Sequence, residues 1–186
     1  MKALHPFLNR IVAALLPFLL LVPAAQAQNA RLDELFSELS QPDLKNWQRV
    51  EQEIWREWSK SGSATMDLLL ERGRDALANG DSTTAIEHLT ALVDHAPDFA
   101  EGWNARATAY YDAELYGPAL ADIGQTLTLN PRHFGALSGL AMILEELGQD
   151  ESALRVYRRT LAIHPHQPTI LEAVQRLEAK AAGQEL

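Results

Sequence analysis

Pro97, Pro131 and Pro165 stand 34 residues apart, and three further columns keep the same interval: Gly73, Ala107 and Ala141; Ala85, Ala119 and Ala153; Leu69, Trp103 and Leu137. A fixed period of that length in several columns points to stacked supersecondary units, each burying its apolar face against the next copy. Each copy reads as two helices. In the second, Trp103, Arg106/Ala107 and Tyr110 form the one-sided stripe of a helix over about Phe99–Ala113. Tyr116-Gly117-Pro118 is predicted to break it, with Pro118 in the first turn of the next helix. Ala119, Leu120, Ile123 and Leu127 then give a second stripe, closed at Asn130-Pro131. The first copy turns at Asn79-Gly80, with Asp81 or Ser82 as N-cap, and the third at Gly148-Gln149-Asp150. The small residues at fixed columns let paired helices approach closely, while Trp103, Tyr110, Ile123 and Tyr157 fill wider gaps.

These spacings and residue types resemble the tetratricopeptide repeat, in three copies over about Met66–Gln167. Trp103, Ala107, Tyr110, Tyr116, Ala119 and Pro131 match its signature; Arg72 and Ala76 depart from it in the first copy. Arg72 and Arg106 are equivalent, which predicts packed stems with heads in solvent or on a carboxylate. The resemblance implies an all-α fold, a right-handed superhelix of three helix pairs (66–99, 100–133 and 134–167) with helical caps at both ends. The stretches IWREWSKSGS (Ile54–Ser63), DFAEGWNARATAYY (Asp98–Tyr111) and PRHFGALSGL (Pro131–Leu140) also resemble a group of exported alphaproteobacterial repeat proteins. That likeness implies export and a binding role.

The ends differ from the repeats. Lys2 and Arg10 flank a basic start, Ile11–Val22 is an apolar run of twelve residues broken by Pro17, and Pro23-Ala24-Ala25-Gln26-Ala27 ends in small-x-small. A membrane span needs about 20 apolar residues. The order basic, apolar, small-x-small describes a secretory signal peptide over 1–27, cleaved after Ala27. The expected product is periplasmic, with no stable membrane insertion. Over 28–65, Leu32, Leu35, Phe36 and Leu39 mark a short helix. Pro42-Asp43 opens another, with Leu44, Trp47, Val50, Ile54 and Trp58 on its apolar face and Trp55 beside it. Terminal units of a stack must be atypical, so this segment is expected to cap the first repeat. Its three tryptophans leave open a dimer or partner surface, hence a monomer or weak dimer. Ser59–Thr65 is a polar connector. Within 168–186, Ile170, Leu171, Val174 and Leu177 form the stripe of a C-terminal capping helix over Pro168–Ala181.

The formal net charge is −9. It argues against nucleic acid, which needs clustered Lys and Arg to displace counterions. Cysteine is absent, which excludes disulfides, thiolate metal sites and a lipid anchor on cysteine. The resemblance implies a concave groove lined by the first helix of each pair. Its inward positions are Asp67, Leu70, Arg74, Leu77 and Ala78; then Glu101, Asn104, Thr108, Tyr111 and Asp112; then Gly135, Ser138, Met142, Glu145 and Glu146. The partner-binding set taken from these is Leu70, Arg74, Leu77, Asn104, Thr108, Tyr111, Asp112, Ser138, Met142 and Glu145. Repeats of this family that clamp a free C-terminal carboxylate use Lys and Asn, where this chain has Leu70, Arg74, Ala105, Gly135 and Gly139. One cation amid five acids is a poor carboxylate receptor. The expected partner is a protein or peptide segment that is basic or neutral and partly apolar.

No P-loop, G-x-S-x-G, H-E-x-x-H or G-x-G-x-x-G is present. His164-Pro165-His166, with His133 one repeat earlier, lacks an evident third ligand, and His88 and His95 fall on a wet outer face. Glu145-Glu146 and Glu51/Glu53 diverge on their helices rather than facing one substrate. No catalysis, metal or cofactor is expected. The leading reading is an adaptor that holds a segment of another envelope protein. The alternative is a chaperone-like accessory in envelope or cytochrome c biogenesis.

Overall fold

The computed structural model describes residues 24–184; the leader expected over 1–27 lies outside them except for its last four positions. Nine α-helices and no strand occur among the described residues. They are α1 (Ala24–Leu39), α2 (Trp47–Trp58), α3 (Ala64–Ala78), α4 (Ser82–His95), α5 (Ala100–Asp112), α6 (Tyr116–Leu129), α7 (Phe134–Glu146), α8 (Asp150–Ile163) and α9 (Pro168–Gln184). None is long and apolar enough to cross a membrane. α3 packs on α4, α5 on α6 and α7 on α8, and the first helices α3, α5 and α7 lie side by side along one face. The expected all-α superhelix of three helix pairs is what the chain forms.

The repeat extends to the hydrogen bonds that end each first helix. Asp81 N–H donates to Ala76 O at 2.9 Å, Leu115 N–H to Tyr110 O at 2.8 Å, and Gln149 N–H to Leu144 O at 2.8 Å. These close the same Schellman turn three times, with φ of +75° at Gly80, +58° at Glu114 and +71° at Gly148. The second repeat therefore turns at Glu114, and not at Tyr116-Gly117-Pro118 as expected. Tyr116 and Gly117 already belong to α6, because the turn geometry is fixed by the period and overrides the glycine signal. Asp81 caps α4, its side chain accepting from Thr84 N–H at 3.0 Å; the Thr84 hydroxyl, together with that N–H, holds its carboxyl below its ordinary range.

Close approach explains the small columns. Ala85, Ala119, Ala141 and Ala153 are fully buried, and a Cβ on Gly73 would stand 2.5 Å from Leu89 Cγ. Arg106 lays its guanidinium over the Trp103 and Tyr110 rings and donates to both Asp122 oxygens, at 2.7 and 2.9 Å. Those hydrogen bonds raise the Arg106 pKa further. The stem packs and the head finds a carboxylate, as expected.

The N-terminal helices reach beyond the first repeat that they were expected to cap. α1 and α2 form a hairpin whose core joins Leu35, Phe36, Leu39, Val50, Ile54 and Trp58 to Phe134 of the third repeat. Its end also reaches the first repeat, where Ser59 accepts from Arg74 at 2.9 Å. α2 lies against the start of α7 and the turn between α8 and α9: Trp47 meets His164 and His166, Trp55 meets Gly135, and Trp58 stacks on His133 at 4.2 Å. Arg132 donates to Asp33 at 2.7 Å with its guanidinium 4.4 Å above Phe36. Three aromatic side chains of α2 find imidazole and apolar surface there, and their burial draws the hairpin to the third repeat. At the other end, α9 packs on α8 through Ile170, Ala173 and Leu177.

Candidate protein-binding groove

Only part of the expected groove is open. Its closed half is the row of N-terminal ends of α5 and α7 beneath α2. Here Arg74 donates to Ser59 Oγ at 2.9 Å and to Glu101 Oε1 at 2.5 Å. His133 Nδ1 accepts from Ala136 N–H at 3.1 Å, so its proton sits on Nε2 and donates to Glu101 Oε2 at 2.8 Å. Glu101 is 2% exposed and His133 fully buried. The chain Ser59–Arg74–Glu101–His133 ties hairpin to repeats, and a buried carboxylate is tolerable only because each oxygen is so paired. Beside it, a cavity of about 430 Å³ remains between Gln52, Trp55 and Arg56 of α2 and Leu77, Asn104 and Thr108 of α3 and α5.

Its open half lies further along the same helices. A cavity of about 280 Å³ is floored by Ala107, Gly135, Ala136 and Gly139, and walled by Asn104, Thr108, Tyr111, Asp112, Ser138 and Met142. Met142 is 40% exposed. Next to it, about 490 Å³ opens between Tyr111, Met142, Glu145, Glu146 and Arg176. Burial, with the charges of Glu146, Tyr116 and Asp112 added, pushes the Tyr111 phenol up; it is a hydrogen-bond donor at neutral pH.

Of the ten residues singled out from sequence, Asn104, Thr108, Tyr111, Asp112, Ser138 and Met142 converge on this one cavity. Leu77 lines the neighbouring one. Leu70 is a correction: at 2% exposed it packs with Ala85, Leu89 and Leu92, because its side chain turns into the repeat core. Arg74 is already committed to Glu101. Glu145 accepts from Arg176 at 2.6 Å and from Tyr157 at 3.1 Å. Burial and the Glu145 charge push the Tyr157 phenol up, so that bond persists.

What sequence reasoning missed is the set that closes the groove: Trp55, Trp58, His133 and Phe134. One signal was available. Gly135 falls in the column of Asp67 and Glu101, and a glycine there, inside a helix, marks a close approach. A Cβ on Gly135 would stand 2.5 Å from Trp55 Cη2. His133 and His164 pack on the aromatic side chains of the hairpin; no three-ligand His/Cys/Asp/Glu group occurs among the described residues.

A file of helix pairs whose first helices present one face defines a helical-repeat protein of the kind that mediates protein–protein contact. A profile of the tetratricopeptide repeat matches residues 70–122 and 104–168, and the chain belongs to that family. A TPR repeat-containing protein of Rhizobium etli is 38% identical over 161 residues, covering 86% of this chain and 79% of that one. The small glutamine-rich tetratricopeptide repeat-containing protein 2 of Saccharomyces cerevisiae is 28% identical over 69% of this chain, which spans only 36% of that relative. Among solved structures, the first TPR of Spaghetti (RPAP3) bound to HSP90 peptide SRMEEVD superposes with a TM-score of 0.62 at 23% identity, covering 64% of this chain and 98% of that one. MamA AMB-1 gives 0.55 at 17% identity over 86% and 85%. At these identities the likeness is one of fold.

Proposed function

We propose that this protein is an exported, non-catalytic adaptor that holds a short segment of another envelope protein in the open half of its groove. The observation that carries this reading is the convergence of Asn104, Thr108, Tyr111, Asp112, Ser138 and Met142 around one apolar-floored cavity. Apolar anchors with flanking polar contacts are how helical grooves recognise peptides. The TPR of RPAP3 is bound to the HSP90 peptide SRMEEVD, and the TPR2B domain of yeast Sti1 forms a complex with pHsp70. This groove is unsuited to such acidic ends: Arg74 is spent on Glu101, and the remaining clamp positions are Leu70, Ala105, Gly135 and Gly139. Export rests on the leader signal of residues 1–27.

Photo-crosslinking in the periplasm, with the probe at Tyr111 and a control at exposed Glu87, tests the reading. One protein captured from Tyr111 and not from Glu87 is the expected result. Capture of many immature proteins would replace the adaptor by the chaperone-like reading. Capture of none would remove the groove as the working surface.

A further inference from the structure

Resting on that adaptor reading, we infer that the open cavity recognises a short segment in which one large apolar side chain neighbours a lysine or arginine. The argument begins with the acids of the groove face. Asp67 is held by Ser61, whose N–H and hydroxyl donate to it at 2.8 and 2.6 Å. Glu101 is enclosed by Arg74 and His133, and Glu145 is paired with Arg176. Asp112 and Glu146 remain: both are exposed, and neither has an ion pair among the described residues. Asp112 lines the cavity, and Glu146 lines the adjoining opening that shares Tyr111 and Met142 with it. A negative rim over an apolar floor selects a cation beside an apolar anchor, and such complementarity rejects an anion more strongly than it rewards a cation.

Size sets the rest. Along α7 the cavity is stopped at one end by Trp55 over Gly135. Towards α9 it adjoins the opening between Tyr111, Met142, Glu146 and Arg176, where Arg176 is already bonded to Glu145. The 280 Å³ cavity itself has room for one large side chain, seated over Gly139 between Tyr111 and Met142, and the wider opening beside it takes the neighbouring residue. An extended peptide crossing all three repeats does not fit without lifting α2. The segment is thus short, and its charge is carried next to its anchor.

A positional-scanning hexapeptide library over the immobilised protein, in low salt, tests this. The inference expects leucine-, phenylalanine- or methionine-containing peptides to be retained about tenfold better with an adjacent Lys or Arg than with Glu. The double variant D112N/E146Q should flatten that ratio to near one while keeping the far-UV spectrum and urea midpoint of the parent. Retention without a charge preference, a preference for acidic peptides, an unchanged ratio in the double variant, or no retention would each overturn it. The adaptor reading fails separately, on the Tyr111 crosslink: a captured partner alongside an indifferent library would sink the recognition chemistry alone.

Discussion

Gly135 and Gly139 lie one turn apart on α7, and they belong to different worlds. Gly135 is pressed by Trp55, so that half of the groove is continuous with the aromatic core of the hairpin. Gly139 would place a Cβ in ordinary contact with Ile123 Cδ1 at 3.7 Å and otherwise looks into the open cavity. The same face of the same helices is thus core in one half and surface in the other. Position within a repeat says which side chains point inward; only the packing of a distant segment says which of them are still available.

The sharpest way to break this comparison is to empty the closed half. Phe134 is fully buried among Phe36, Trp55, Trp58 and His164. Phe134→Ala should cost about 3–5 kcal/mol, read as a lowered urea midpoint by tryptophan fluorescence. A loss below about 1 kcal/mol would mean that the hairpin merely rests on the repeats. Glu101→Ala comes next, at about 2–3 kcal/mol, since it strands the buried His133 Nε2–H. The half-exposed Arg74 recovers water and adds little to that loss.

The two glycines themselves should then respond with opposite signs. Gly135→Ala forces Trp55 to shift and should destabilise by about 1–3 kcal/mol, with a change in tryptophan emission. Gly139→Ala meets no clash and replaces a poor helix former, so it should stabilise by up to about 1 kcal/mol. Equal effects at both sites, measured in the same denaturation series, would erase the distinction between the halves.

The contrast also marks how far the sequence could be read. The period of 34 is a local, repeated signal, so the three helix pairs, Asp81 as cap and the buried alanine columns were all legible in it. That six of the ten positions line one cavity follows from the family pattern, which fixes which way each first-helix position points. The docking of α2 was not: Gly135 in the column of Asp67 and Glu101 marks a close approach, but nothing in the period says that Trp55, 80 residues away, makes it. Glu114 is intermediate. Aligning it with Gly80 and Gly148 reveals the left-handed turn, while the nearby Gly117-Pro118 points to the wrong place. Glu114→Gly should stabilise by about 1 kcal/mol, seen as a small rise in the melting temperature. A fall would show that the Glu114 side chain contributes more than its backbone costs.

Met142→Ala is the mildest change for stability and the most telling for the open half. The side chain is 40% exposed and lies on the wall of the cavity, outside every aromatic contact that holds the hairpin. Its removal should move the urea midpoint by no more than about 0.5 kcal/mol. Crosslinking from Tyr111, which shares that wall, should nevertheless drop severalfold, because the anchor side chain of a bound segment loses the surface it packs against. An unaltered crosslink would mean that the partner rides on the rim and never enters the cavity. A midpoint that fell as far as that of Gly135→Ala would mean that the open half is as much a part of the core as the half beneath α2.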